Sequence, residues 1–501
     1  MKRTYTFILL LACSIVSAQN INDVLRYSQE SPQGTARFQG MSGAFGALGG
    51  DLSSLNVNPA GSAVFNNGLF SITASNQHSK NEASYFSNST SASLNSFDLN
   101  QVGGVLVFNN TDGSKWKKLS LAFNYDLRKN FDDEIFIAGQ SDQGIDNYFL
   151  SYAGGVPFGP LLLQDDEFIE EAYLDIGSSL GYVDQQAFLG YYGGIIDPMD
   201  ETNDNNTDYI SNAGYSTVYQ QYVQSNAGYN GKFTANIASQ YGDNIYMGAS
   251  LNIHNVLFEK LTRLTERGFD PDSEIKNISF DNLLRTEGTG FSFSLGAIAK
   301  LNEMVRIGGS YQSPTWYSLS DETSQKINSD LADTDISFIN FNIINVFEDY
   351  KIKTPGKLTG SLALVFGPNG LISFDYGYQD MSNARLKPAS EPEFESENRY
   401  ISEQLGTVST FRLGGEYRIK ALSLRAGYRF EQSPYTESNV IGDLNGYSGG
   451  IGYNFGGSRL DLAYSHASQD INQTLYDTGL PTPASITNKN SVISLGYTLN
   501  F

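Results

Sequence analysis

Alternation with a period of two recurs along almost all of this 501-residue chain and limits its fold more than any other feature. At the C-terminus Ile493, Leu495, Tyr497, Leu499 and Phe501 share one face, and Ser494, Gly496, Thr498 and Asn500 the other. Ile245, Met247, Ala249, Leu251 and Ile253 repeat the pattern, as do Leu422, Leu424, Ala426, Tyr428 and Phe430. Side chains of a strand point alternately to its two faces, so such segments read as strands with one apolar side. They fall near 69–79, 96–108, 117–129, 228–240, 245–257, 285–300 and 304–317, and continue near 354–366, 371–381, 407–419, 421–431, 446–456, 458–468 and 490–501. Each reaches the roughly 9–11 residues that a tilted transmembrane strand needs.

The connections sharpen this reading. Short turns (Asn109 to Trp116, Tyr241 to Asn244, Leu301 to Glu303, Gly367 to Gly370, Ile419 to Lys420, Gly456 to Gly457) alternate with long polar loops. The loops span about 80–95, 130–227, 258–284, 318–353, 382–406, 432–445 and 469–489. Outer-membrane barrels show this asymmetry, with periplasmic turns short and extracellular loops long, whereas a secreted soluble sandwich has no reason for it. After residue 20 no apolar run approaches the roughly 18 residues of a membrane-spanning helix. Acidic residues outnumber basic ones 54 to 32, for a formal net charge of -22. That balance excludes a nucleic-acid partner, which requires a basic surface.

Lys2 and Arg3, the apolar stretch Phe7 to Val16, and Ser17-Ala18 before Gln19 read as a signal peptide over 1–18. The single cysteine, Cys13, lies inside it, behind a loose lipoprotein-like box. Cleavage at Ala18 leaves no cysteine for disulfides or thiolate metal sites. Residues 19–67 do not alternate. Gly34-Thr35-Ala36-Arg37-Phe38-Gln39-Gly40-Met41-Ser42-Gly43-Ala44 leads to Asp51 and then to Asn58-Pro59-Ala60. Glycines permit close backbone approach. Pro59 holds Asn58 extended, freeing its side chain to bond barrel backbone. The segment has the small, irregular composition of a plug.

On that Gly-Thr-Ala-Arg start, the spacing from Asp51 to Asn58, the Asn-Pro-Ala motif, fourteen strands and a terminal Phe501, nearly the whole chain resembles the FadL-type outer-membrane transporters of long-chain fatty acids and other hydrophobic compounds, especially their divergent forms in the Bacteroidetes. The resemblance implies a monomeric barrel in the Gram-negative outer membrane, inserted by the barrel-assembly machinery, with no cofactor, ATP or TonB coupling. It implies loop capture of a hydrophobic small molecule, binding in the lumen, and release past the hatch into outer-membrane lipid where the third strand kinks inward. It also gives Asn58, Pro59 and Ala60 the role of hatch motif. The third strand has Leu119, Leu121, Phe123, Tyr125 and Leu127 facing lipid and contains no glycine, so no kink is announced.

The expected architecture is therefore all-β: a 14-stranded antiparallel transmembrane β-barrel over 68–501, with an N-terminal hatch, 19–67, inside its lumen. Phase-matching places Arg306, Arg412, Arg425, Arg429 and Arg459 in the lumen with Asp126, Asp375, Glu416 and Asp461. They are either a paired polar interior or, at Arg425 and Arg429, anchors for a ligand carboxylate. The 130–227 loop is too long for a connector. There Asp165-Asp166 is placed to cap a helix through Phe168, Ile169, Ala172 and Tyr173, followed by Phe188, Leu189, Tyr191 and Tyr192. These apolar residues are a lid core, a capture surface for substrate, or both, with Ile336 to Phe347 as a second wall. The acidic run Asp200 to Asp208 lacks the spacing of a calcium loop and reads as surface. His78, His254 and His466 are far apart, and the Ser465-His466 neighbourhood lacks a second feature supporting a hydrolase triad. The chain reads as a non-enzymatic, passive transporter. The alternative is a non-transporting barrel subunit of an outer-membrane assembly or type IX secretion machine.

Overall fold

The computed structural model describes residues 20–501; the signal-peptide segment, Cys13 included, lies outside the described residues. Fourteen strands cross in one closed antiparallel sheet: β1 Leu69–Tyr85, β2 Asn88–Asn109, β3 Trp116–Asn130, β4 Val218–Tyr241, β5 Ile245–Arg267, β6 Asn277–Lys300, β7 Val305–Gln312, β8 Lys357–Val365, β9 Gly370–Asp380, β10 Thr407–Ile419, β11 Leu422–Glu431, β12 Leu444–Asn454, β13 Ser458–Gln473 and β14 Ala484–Asn500. Pairing of β1 with β14, from Leu69 opposite Asn500 to Ser84 opposite Ser485, closes the wall and leaves no edge. Five further segments continue the sheet on the long-loop side: Asp133–Ser141, Trp316–Ser329, Asn345–Val346, Tyr350–Lys353 and Arg385–Lys387.

The alternation has the expected phase. Ile245, Met247, Leu251 and Ile253 stand exposed on the outside of β5, while Ser250, Asn252 and His254 are buried inside. Several strands run further than the pattern predicts. The 23 residues of β5, at about 3.3 Å each and tilted about 45°, climb roughly 50 Å, well past a hydrocarbon core of about 30 Å. Above that band both faces are polar or meet the loop cap, so the lipid-facing signature fades while the ladder continues. The expected loop at 80–95 is accordingly a hairpin, with β1 and β2 paired up to Tyr85 opposite Asn88. Ser313-Pro314-Thr315 and Thr354-Pro355-Gly356 interrupt two neighbouring strands at one level, because proline cannot donate to a ladder.

Residues 20–66 fill the lower lumen. Helix α1 (Ile21–Ser28) is closed by an Asn20–Asp23 capping box. A second, four-residue helix, α2 (Ala36–Gln39), and the 3-10 turns Leu52–Asn56 and Pro59–Val64 follow. Phe38, Met41, Phe45 and Leu48 make a small core against Ala363 and Leu371 of the wall. At the other end a cap contains α3 (Asp146–Ala153), α4 (Ile169–Ser179) and α5 (Tyr182–Tyr192), packed with the strand tops around Tyr85, Phe149, Tyr173, Phe188 and Phe280.

Candidate functional site

The hatch is stitched to the wall by the residues that mark it in sequence. Asn58, 1% exposed, donates through Nδ2 to the carbonyls of Gly46 (2.8 Å), Ala297 (3.0 Å) and Gly309 (3.4 Å), and its Oδ1 accepts from the Ala60 N–H. The Pro59 carbonyl accepts from Asn236 Nδ2 at 2.9 Å. The wall makes room with glycine: a Cβ at Gly296 would sit 2.1 Å from Asn58 Oδ1, and one at Gly248 2.4 Å from the Pro59 carbonyl oxygen. Thr35 Oγ1 donates to Asp51 Oδ1, which also caps Ser53, and Ser53 Oγ donates to Asp126 of β3. The spacing from Gly34 to Asp51 and Asn58 is thus the geometry of a floor that bonds both to itself and to its frame.

Arg37 of the hatch anchors an ion-pair chain across the lumen. It meets Glu416 at 2.9 Å, Glu416 meets Arg425 at 2.7 Å, and Arg425 meets Asp461 at 2.7 Å, with Arg418 and Arg459 at the ends. Arg425 is therefore a wall-to-hatch tie rather than a free anchor, which corrects the pairing of it with Arg429. Two repeats of the pleat separate them on the shared face of β11, and of the two only Arg425 makes close ion pairs. Arg429 lies directly opposite Arg412 on β10. Arg429 Nη1 and Arg412 Nε are buried and have no hydrogen-bond partner among the described residues. Nearby, Glu30 of the hatch bridges Arg128 and Lys357, the latter at 3.6 Å.

The wall itself is broken between β2 and β3. Their ladder runs from Asn109 opposite Lys118 only to Gln101 opposite Asp126. Beyond that point β2 pairs with β1 alone, and side chains span the gap, Asn130 Nδ2 reaching Ser96 Oγ (2.9 Å) and Asp98 Oδ2 (2.6 Å). β3 bulges between Leu127 and Lys129 and turns inward, so that Asn81 on the inner side of β1 donates to Asp133 and to the Glu134 carbonyl. Leu127, placed on lipid by its phase, is 3% exposed, although it keeps the register of the pairs before it, opposite Gly231, and the bulge follows it. The glycine that allows this bend is on the neighbouring strand. Gly228 of β4 has φ +112°, accepts from Phe131 N–H and donates to Asp132 Oδ1, and a Cβ there would meet the Leu257 carbonyl at 2.1 Å. No sequence signal within β3 announces the kink; its permissive glycine is Gly228, one of two in β4 with Gly231.

Between hatch and cap lies a cavity of about 1050 Å³, bounded by α1 and residues 29–33 below, the kink from Lys129 to Asp133 on one side, Arg429 on another, and Tyr148, Tyr182 and Tyr476 above. Of the two expectations for the 130–227 loop residues, a lid core and a capture surface, their packing is that of a lid core. Ile169, Tyr173, Phe188 and Leu189 are fully buried cap core, and Tyr191 and Tyr192 are half-buried beside it; only Phe168 is open, at 66%. Helical spacing turns them toward one another, which leaves no exposed groove. The helix begins at Phe168 without side-chain capping, and Asp165-Asp166 lie in the preceding turn. In the second stretch Ile336 and Ile339 are buried, while Phe338, Ile344 and Val346 face out. Where β5 enters the cap, burial pushes the Glu266 carboxyl up to about 8; its Oε1 accepts from Ile145 N–H (2.8 Å) and Gln220 Nε2 (2.7 Å), beside the Asp146 carboxylate. Among the described residues no group of three or more His, Cys, Asp or Glu is placed to hold a metal ion, and Asp461 is committed to its arginines, away from His466.

Comparison with known proteins follows this geometry. The family model described as "Outer membrane protein transport protein (OMPP1/FadL/TodX)" matches residues 173–501. A FadL homologue of Pseudomonas aeruginosa superposes with a TM-score of 0.55 at 14% identity, covering 94% of this chain and 99% of its own. The toluene transporter TodX of Pseudomonas putida gives 0.52 at 12%, covering 95% and 99%. At such identities these likenesses bear on the fold. A search of curated protein sequences finds no match.

Proposed function

Because the chain belongs to the OMPP1/FadL/TodX family of outer-membrane transport proteins, a family of passive carriers of hydrophobic compounds rather than enzymes, we propose that its cargo is an acyl amphiphile, with long-chain fatty acids as the reference class. The observation that carries this reading is the continuity of one cavity with the cap, the hatch, Arg429 and the broken wall. Cargo enters beneath the cap. Its acid group takes the unpartnered edge of Arg429, next to Arg412, where Arg429 Nη1 and Arg412 Nε lack hydrogen-bond partners although Asp375 stands opposite Arg412 and Glu431 lies on the same face of the strand as Arg429.

Release is lateral. Exposing an acyl chain to water costs about 0.8 kcal/mol per CH₂, and the open edge of β2 faces the nearest apolar phase, with Phe97 76% exposed beside the gap. Hatch gating rests on its N-terminal arm, residues 20–33, which contacts the kink through Glu30 and Arg128. The stitched floor that carries Asn58, Pro59 and Ala60 stays in place. The protein works as a monomer, with Phe501 presented to the barrel-assembly machinery during insertion.

Native mass spectrometry with lipid extraction, on protein purified from its own outer membrane, tests this. The expected result is a co-purifying acyl amphiphile that is lost in Arg429→Gln. An empty barrel carrying a stoichiometric protein partner would instead move the assignment to a subunit of a secretion or assembly machine.

A further inference from the structure

The cavity has a mixed lining, more of it apolar than polar by surface but with many polar side chains. Side-chain amides and hydroxyls outnumber aliphatic side chains around it. Most polar groups elsewhere in the lumen are paired, but two lumen-facing amides on adjacent strands are not. Gln77 of β1, 4% exposed, makes no side-chain hydrogen bond among the described residues, and Asn490 of β14 has its Oδ1 buried and unpartnered. They are diagonal neighbours, since Gln77 stands opposite Val492 and Ser79 opposite Asn490. Across from Asn490 the next two strands carry only Ala467 and Gly446, so the cavity reaches into a recess against the wall there.

Leaving a buried polar group unmet costs about 1–3 kcal/mol. A bare acyl chain in this recess would strand the donors and acceptors of two amides. A headgroup with its own amide or hydroxyl would satisfy them, and at about 1050 Å³ the cavity stands at the upper end of small-molecule sites, roughly 300–1,000 Å³. We infer that the recess of Gln77, Asn490, Ala467 and Gly446 is a headgroup subsite, and that the cargo is an acidic acyl amphiphile bearing further neutral hydrogen-bonding groups, of which a simple fatty acid is only the minimal form. The inference rests on the transport reading above and narrows its substrate class: the acid on Arg429, the amide or hydroxyl in the recess, the chain toward the broken wall.

Two probes of equal chain length separate the possibilities: dodecanoic acid, and N-dodecanoylserine, which adds an amide and a hydroxyl. Binding is measured by calorimetry on the full protein in a detergent free of sugars and amides. N-dodecanoylserine is expected to bind about tenfold more tightly, the gain of one or two net hydrogen bonds. In Gln77→Leu/Asn490→Leu that advantage disappears while dodecanoic acid binds within about twofold of its original affinity. Equal or weaker binding of N-dodecanoylserine to the unmodified protein overturns the subsite and leaves transport of plain acyl chains standing. Binding of neither probe overturns the transport reading itself. The comparison in the unmodified protein decides the matter even if the double variant fails to fold.

Discussion

Two arginines four residues apart on one strand face show how a lumen divides structural from functional charge. Arg425 reaches Glu416 and Asp461 because the neighbouring strand carries Gly452, where a Cβ would sit 2.2 Å from Asp461 Oδ1 and 2.8 Å from an Arg425 nitrogen. Removing the guanidinium breaks the chain at its centre but leaves Glu416 with Arg37 and Arg418 and Asp461 with Arg459, so Arg425→Gln is expected to cost about 1–3 kcal/mol. Arg429→Gln relieves a like-charge pair with Arg412 and leaves stability within about 1 kcal/mol. Thermal unfolding followed by the heat-dependent shift of the barrel on gels checks both, and a stable Arg425→Gln would contradict the tie. Glu266 makes a different prediction, from the cap. Its folded value of about 8 exceeds the ordinary 4.5, so the folded protein keeps this proton where the unfolded chain has lost it, and cap stability falls as pH rises between those values. Limited proteolysis of the 142–217 loop is expected to accelerate from about pH 5 to pH 8, and Glu266→Gln, which retains the acceptor for Ile145 and places no charge beside Asp146, is expected to flatten the profile.

At the scale of the element, the kinked third strand is where sequence and structure part. Period two located all fourteen strands because lipid on one side and a polar lumen on the other impose it at every position. It failed where one of those phases was missing: at strand tops above the membrane, and at Leu127, where β3 leaves its ladder with β2 and turns inward. Asn58 and Pro59 could be singled out in the sequence because Pro59 fixes its own φ and holds Asn58 extended, but the wall carbonyls that Asn58 reaches, Ala297 and Gly309, could not. The separation of Arg425 from Arg429 was not legible, because it depends on what adjacent strands present at the same level, and register is a non-local quantity. Nor was the kink, since its permissive residue, Gly228, lies about a hundred residues away from it. Gly228→Val tests that dependence. With φ +112° and 2.1 Å to the Leu257 carbonyl, a branched side chain forces the local backbone to shift and is expected to lower uptake of a labelled fatty acid about tenfold or more, while probe binding in the cavity persists. Unchanged uptake in a folded Gly228→Val protein would argue against release through this gap.

For the whole molecule the question is which part of the plug moves. The floor, residues 34–66, bonds to strands around most of the wall: Ser53 to Asp126, Ser62 to Asn236, Asn58 to Ala297, Gly46 to Asp375, Arg37 to Glu416, Ser42 to Ser448 and Gln39 to Ser494. Breaking all of these at once amounts to losing the lower half of the lumen. The arm, residues 20–33, has fewer polar tethers, Ile21 N–H on Glu397, Asn100 on Gln33, and Glu30 between Arg128 and Lys357, and is otherwise held by apolar packing of Ile21, Val24, Leu25 and Tyr27 against Phe131, Phe258 and Tyr317. Glu30 faces the same cationic wall, with Arg128, Lys357, Arg412 and Arg429, so an acid headgroup arriving there competes with it for positive charge. Hydrogen exchange in lipid nanodiscs is therefore expected to show two classes of hatch amide. Those of the floor exchange only with global unfolding, whereas those of the arm exchange by local opening, about tenfold faster once an acidic amphiphile is bound. Glu30→Gln reproduces the faster exchange in the free protein, because it removes the same ion pair without a ligand. Ligand-induced exchange spreading through residues 34–66 would mean instead that the plug leaves as one body, and the ties through Asn58 and Arg37 would have to be counted among the contacts that transport breaks.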